Sequence, residues 1–208
     1  MGVVEYKTRG VRIGCDPGQR VDPTAIVVIE VQDRDGDDHF VARHLERLAL
    51  GTPYPAVVER LAEIYGKLES PTIWLDATGV GQPVVDLVRA ASLRVKPVYL
   101  TGSDRATDED GELRLGKALL VSRLQVLLQS SLIHLPKTAE AQALIDELLT
   151  YEIRVSDAGH ASFGAFKTGS HDDLATALGL AVWERPKKRK QVRAWGPRYN
   201  KHPGFLPK

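Results

Sequence analysis

The chain has 208 residues, 43% hydrophobic and 26% charged, with a formal net charge of +1. That length suits one domain with decorations, and that apolar fraction fills a core, which excludes wholesale disorder. A single cysteine, Cys15, excludes a disulfide framework and a cysteine-built zinc site. No apolar run approaches the ~18 residues of a membrane span, and residues 1–10 carry no secretory h-region, so the chain reads as intracellular with no membrane partner. The charge is unevenly spread. Residues 185–208 hold nine Lys and Arg and no Asp or Glu, and that +9 tail within a +1 chain leaves −8 on residues 1–184. The expected organisation is a domain over 1–184 and a basic, flexible tail over 185–208. Such a tail fits a polyanion partner, and its plainer reading is a solubilising terminus.

Residues 12–16 and 24–31 read as strands joined by a turn-rich loop over 17–23. The β-branched run from Ala25 to Ile29 fits a strand buried on both faces. The Gly36 turn and a strand over 39–48 complete an antiparallel three-stranded meander. A helix over 53–68 follows, with Thr52 and Pro53 as its cap and first residue. Next come a strand over 72–75 ending at Asp76, a tight turn at Gly79 to Gly81, and a helix over 83–91 with Val84, Val85, Leu87 and Val88 inward. A strand over 95–100 completes a strand–helix–strand unit, which places parallel strands beside the meander. Residues 101–111, polar and acidic, read as a mobile loop. Leucine spacing predicts a helix over 113–129, and Thr138 caps another over 138–149. Residues 151–156 and 161–166 read as a hairpin with Asp157 and His160 at its tip. A last helix runs over 170–183, capped by Ser170, with Pro186 beyond it.

Three acidic sites fall where an open α/β sheet carries its chemistry, beyond the carboxyl ends of parallel strands. Asp16 ends the first strand, Asp76 ends a later one, and Asp172 and Asp173 open the last helix. If the two strands are neighbours, their carboxylates converge, and a helix start across that edge adds the third. Crowded carboxylates repel, and a divalent cation neutralises them. All-oxygen ligands favour Mg²⁺ or Mn²⁺ over zinc, and a bridged pair of such ions can drive an in-line phosphoryl displacement. Each acid alone has a simpler use: Asp16-Pro17-Gly18 as a turn, Asp76 as a cap, Asp172 and Asp173 as first-turn acids facing a helix dipole. It is their conjunction on this element order that points to a site. Asp22 is a candidate auxiliary ligand. His171, Asp157, His160 and Lys117 are candidates for its periphery, and His134 reads as structural. No Gly-x-x-x-x-Gly-Lys-Ser/Thr loop occurs, so an ATP-driven step is expected from another chain.

The motifs Gly14-Cys-Asp-Pro-Gly18, Asp22-Pro-Thr-Ala-Ile-Val-Val28, Leu75-Asp-Ala-Thr-Gly-Val-Gly-Gln-Pro-Val-Val-Asp86 and His171-Asp-Asp-Leu-Ala-Thr-Ala-Leu178 resemble the nuclease domain of tailed-bacteriophage large terminases. The segment from Lys117 to Gln125 resembles the region between the last two, and the similarity covers roughly residues 10–184. The first motif also resembles Holliday-junction resolvases of the same superfamily. The resemblance implies an RNase H-like α/β fold, a mixed sheet in which parallel strands extend the meander, flanked by helices. It implies a metal-dependent endonuclease that cuts concatemeric viral double-stranded DNA during genome packaging in the host cytoplasm. Two Mg²⁺ or Mn²⁺ ions would be held by Asp16, Asp76 and one or both of Asp172 and Asp173, with Asp22 nearby. An ATPase domain, a portal and a small terminase are the implied partners. The family's N-terminal ATPase domain has no counterpart in these residues, which implies an isolated nuclease domain or a fragment of a longer chain. Two other readings stand beside this one: a junction resolvase, and a non-catalytic module that docks on the packaging motor.

Overall fold

The computed structural model describes residues 5–18, 20, 22–150, 152–155, 161–164 and 172–184. Strands β1 (Lys7–Asp16), β2 (Ala25–Arg34) and β3 (Asp37–Arg47) form the expected antiparallel meander. Helix α1 (Tyr54–Tyr65) leads to β4 (Thr72–Asp76), and α2 (Gly81–Ala90) leads to β5 (Val95–Thr101). Strands β6 (Ala106–Glu109) and β7 (Glu112–Gly116) precede α3 (Lys117–Gln129), β8 (Ile133–His134) and α4 (Ala139–Thr150). A hairpin of β9 (Glu152–Val155) and β10 (Ala161–Gly164) precedes α5 (Asp173–Val182).

The sheet has eight strands in the order β6-β7-β5-β4-β1-β2-β3-β8. Strand β4 lies parallel to β1, β5 to β4, and β7 to β5, so the carboxyl ends of β1, β4, β5 and β7 share one edge of the fold. Helices α1 and α2 cover one face, where Ile13, Cys15, Ile26 and Val28 meet Val57, Leu61, Val84 and Val88. Helices α3, α4 and α5 cover the other, where Ala25, Val27 and Ile29 meet Leu120, Leu124, Leu144 and the apolar residues of α5. The run from Ala25 to Ile29 is buried throughout because both faces are covered. All ten residues of α5 are buried, so this helix is the centre of its layer. No helix among the described residues is long and apolar enough to cross a membrane.

The structure corrects several sequence expectations. Within 101–111, expected to be a loop throughout, Ala106–Glu109 form β6, and the helix expected over 113–129 starts at Lys117. Leu113 and Leu115 alternate as a strand does, both buried, and β7 pairs with β6 and β5. The turn between β6 and β7 is Asp110-Gly111, with φ of 51° and 85°. Two adjacent left-handed residues give the primed turn that hairpins favour. The leucine spacing mimics a helix because Leu115 and Leu119 fall four apart across a strand–helix junction.

Thr52 does not cap α1. Its hydroxyl donates to the Ala49 carbonyl, and Pro53 takes the cap position. Leu87, expected inward, is exposed, as are Val126 and Leu128. Strand β8 has no counterpart among the expected elements; two residues are too few for a periodicity. Helix α5 begins at Asp173 with Asp172 as its cap residue, so the helix is shorter than expected and Ser170 lies outside the described residues. Thr138 does cap, its hydroxyl accepting from the Ala141 N–H.

Candidate active site

Strand alternation sends Ile13 and Cys15 into the α1/α2 core and turns Gly14 and Asp16 toward α5. A Cβ at Gly14 would collide with the Ala177 carbonyl, so only glycine lets α5 lie directly on β1. On β4, Ile73 and Leu75 join the α1/α2 core, which turns Trp74 and Asp76 to the α5 side. Cys15 pairs with Leu75 across the parallel strands, so Asp16 and Asp76 are neighbours at the same sheet edge and on the same face. Helix α5 starts at that edge. Asp16, Asp22, Asp172 and Asp173 line one opening of about 450 Å³, with Arg20, Tyr54 and Val80 among its other walls.

Each acid is held differently. Asp76 Oδ1 accepts from the Thr78 N–H at 2.8 Å. A Cβ at Gly81 would strike the Asp76 carbonyl, so glycine there lets α2 start close beneath this carboxylate. Asp172, though at the cap position of α5, makes no side-chain cap bond. Its Oδ2 accepts from Lys117 Nζ at 3.0 Å. Asp173 is 2% exposed and takes the fork of Arg47, with Nε at 2.9 Å from Oδ2 and a terminal nitrogen at 3.2 Å from Oδ1. Arg47 also pairs with Glu147 of α4, whose Oε2 accepts from the Ala175 N–H at 2.8 Å.

The electrostatics bear the mark of crowding. Burial, then the charges of Asp76, Asp172 and Asp173, push the Asp16 carboxyl well above the usual carboxylate range, against the pull of Lys117. Burial also raises Asp76, with Asp172 adding to it, while hydrogen bonds from Thr78 and the charge of Lys117 oppose the rise. Burial beside the same two carboxylates pushes the Cys15 thiol well up, which makes it an inert core residue. Among the described residues, no three His, Cys, Asp or Glu side chains gather closely enough to hold a metal ion as they stand. In chemical type the donor set at this edge, carboxylate oxygens that repel one another, fits a hard divalent cation.

A model of the terminase RNaseH-like domain matches residues 13–185. The chain belongs to that family. Solved structures agree on the fold. The large terminase nuclease from thermophilic phage G20c with bound magnesium is 22% identical over 85% of this chain and 82% of its own, with a TM-score of 0.66. The large terminase nuclease domain of Thermus phage P74-26 is 20% identical over 82% and 77%, with a TM-score of 0.60. The human cytomegalovirus terminase nuclease domain, soaked with manganese, is 15% identical over 83% and 81%, with a TM-score of 0.52. No curated protein matches the chain.

Within this terminase domain, Asp16, Asp76 and Asp172 share one edge, near enough for their charges to act on one another; Asp22 lines the opening with Asp16 and Asp172, and Lys117 bonds Asp172. Asp173 is at the same edge but engaged by Arg47. His171, Asp157 and His160 lie outside the described residues, as does the basic tail. His134 stacks on His39 with ring centroids 5.1 Å apart, far from the carboxylates along β8 and β3. Sequence reasoning passed over Arg47 and Glu147. The readable signal for Glu147 was a charge in the buried stripe of Ala141 and Leu144, three residues apart on α4. Arg47, at a strand end, carried none.

Proposed function

We propose that this domain is a metal-dependent endonuclease that hydrolyses phosphodiester bonds of double-stranded DNA, cutting concatemeric viral DNA during genome packaging. The observation that carries the proposal is that Asp16 and Asp76 end adjacent parallel strands, one residue beyond the Cys15–Leu75 pair, with Asp172 beside them at the start of α5. Membership of the terminase RNaseH-like domain family supports it, as do solved relatives with magnesium, cobalt and zinc bound and one soaked with manganese.

Asp16, Asp76 and Asp172 would hold two divalent ions, Mg²⁺ or Mn²⁺, with Asp173 beside them and Asp22 as an auxiliary group. Bound there, the ions supply activation of the attacking water and neutralisation of the leaving oxygen. The chain's own residues set the stage. Thr78 holds the Asp76 carboxylate at the strand end through its backbone N–H. The start of α5 directs the positive end of a helix dipole at the charge cluster. Arg20, exposed on the rim, is placed to meet a backbone phosphate. An ATPase domain, a portal and a small terminase are the proposed partners, and the basic residues over 185–208 are proposed to serve either that assembly or the DNA.

Conversion of supercoiled plasmid to nicked and linear forms tests the reading, in Mg²⁺, Mn²⁺ or EDTA, for wild type and Asp76→Asn. The expected result is metal-dependent cutting that Asp76→Asn abolishes. Cutting that survives EDTA, or that Asp76→Asn leaves intact, rejects it.

A further inference from the structure

We propose that Arg47 and Glu147 are positioning residues that give the two adjacent aspartates different tasks, making Asp173 the anchor of α5 and Asp172 the carboxylate turned to the metal site. The inference rests on the nuclease reading for what Asp172 does, and on the structure for how it is held.

The sheet register sets up the arrangement. Asp16 of β1 pairs with Ala25 of β2, and Ala25 pairs with Arg47 of β3. These three residues form one row across the sheet, and directly opposed residues point to the same face. Arg47 therefore reaches the α5 side two strands away from Asp16. There it meets Asp173 with both arms of its fork, a planar match that fixes direction as well as distance. Glu147 approaches from α4, 5% exposed, and closes on Arg47.

Glu147 has a second task. The opening N–H groups of a helix need acceptors, and the cap residue's side chain ordinarily supplies one. Asp172 does not do so here. The Ala175 N–H instead donates to Glu147, a residue of another helix. That substitution leaves the Asp172 carboxylate available, and Lys117 is what it meets on the site side. A buried carboxylate on a guanidinium fork is poorly disposed to ligate a cation, because the same oxygens and the same positive charge compete with it. Asp172, bonded to one exchangeable ammonium, is not so constrained.

The test is Mn²⁺ binding to the full chain, read from the electron paramagnetic signal of free Mn²⁺, with amide hydrogen exchange measured on metal-free protein. The variants are Arg47→Met, Arg47→Met with Asp173→Leu, and Asp172→Asn. If Arg47 positions, Arg47→Met weakens Mn²⁺ binding at least fivefold. The double variant, which removes the Arg47–Asp173 pair and leaves Glu147 to accept from the Ala175 N–H, returns to within threefold of wild type, and Asp172→Asn loses at least tenfold. If Asp173 is a ligand that Arg47 restrains, Arg47→Met binds Mn²⁺ more tightly and the double variant is as weak as Asp172→Asn; either result overturns the proposal. Should Arg47→Met fail to fold, the double variant decides alone. The exchange readout needs no metal. Ala175 should exchange at least tenfold faster in Arg47→Met, and unchanged exchange rejects the positioning role. Wild type that binds no Mn²⁺ rejects the nuclease reading instead, and leaves the exchange result to judge the network.

Discussion

Lys117 Nζ lies 3.0 Å from Asp172 Oδ2, joining the first residue of α3 to the residue before α5. The ammonium lowers the titration points of both Asp16 and Asp76, so it serves as a cation for the whole cluster. Lys117→Gln should therefore lower metal-free stability, by about 0.5–1 kcal/mol given that both partners are partly exposed. Saturating Mn²⁺ should narrow the gap, because it neutralises the same charges. Thermal melts in EDTA and in Mn²⁺ check both halves.

The Asp16 carboxyl sits above its unfolded value, so the folded state holds this proton more tightly than the unfolded chain. Between the unfolded and folded titration points, its contribution to stability falls as pH rises, and above both it is fully unfavourable. Asp16→Asn removes that contribution. In EDTA near neutral pH the variant should melt higher than wild type, and the difference should shrink on acidification toward the ordinary aspartate range. A variant that melts lower at neutral pH contradicts the crowding of these carboxylates.

Gly14→Ala places a methyl against the Ala177 carbonyl, and neither β1 nor α5 has room to retreat in a fully buried layer. The expected loss is at least ~2 kcal/mol, the upper range for overpacking. Urea unfolding should show a lower midpoint with an unchanged slope. At Gly179 the atoms nearest an added Cβ belong to the Leu120 side chain rather than to backbone, so Gly179→Ala should cost less than Gly14→Ala.

Replacing Lys187, Lys188, Arg189 and Lys190 by Gln tests the basic tail. If these residues touch phosphates, the log–log salt dependence of DNA binding becomes shallower, by ~0.9 for each phosphate no longer neutralised. An unchanged slope shows that these four residues do not neutralise phosphates.

The parts of the site that were legible in the sequence are those fixed by local chemistry. Asp16 and Asp76 each end a short apolar run, and the β-branched strand at Ala25 to Ile29 announced a sheet covered on both sides. Lys117 was legible as a candidate for the periphery of the site, but it was set inside a long helix rather than at the helix start. Its place at the sheet edge depends on β7, and β7 depends on the Asp110-Gly111 turn, a signal outweighed by leucine spacing. Arg47 and Glu147 were illegible for a different reason. They are 100 residues apart and meet only because β3 lies two strands from β1 and α4 packs beside α5. No local pattern encodes that meeting.

The two borders of the eight-stranded sheet bear on how copies of this domain behave when crowded. One border, β6, is four residues long and carries Asp108 and Glu109. The other, β8, is two residues long, and Pro136 follows within two positions. Neither offers a long run of open amides and carbonyls on which a neighbour could add a strand, and the acids on β6 repel another copy of themselves. Fibrillar growth through this sheet is thereby discouraged, and concentrated solutions should stay clear of thioflavin-positive material where a sheet with long apolar borders would not.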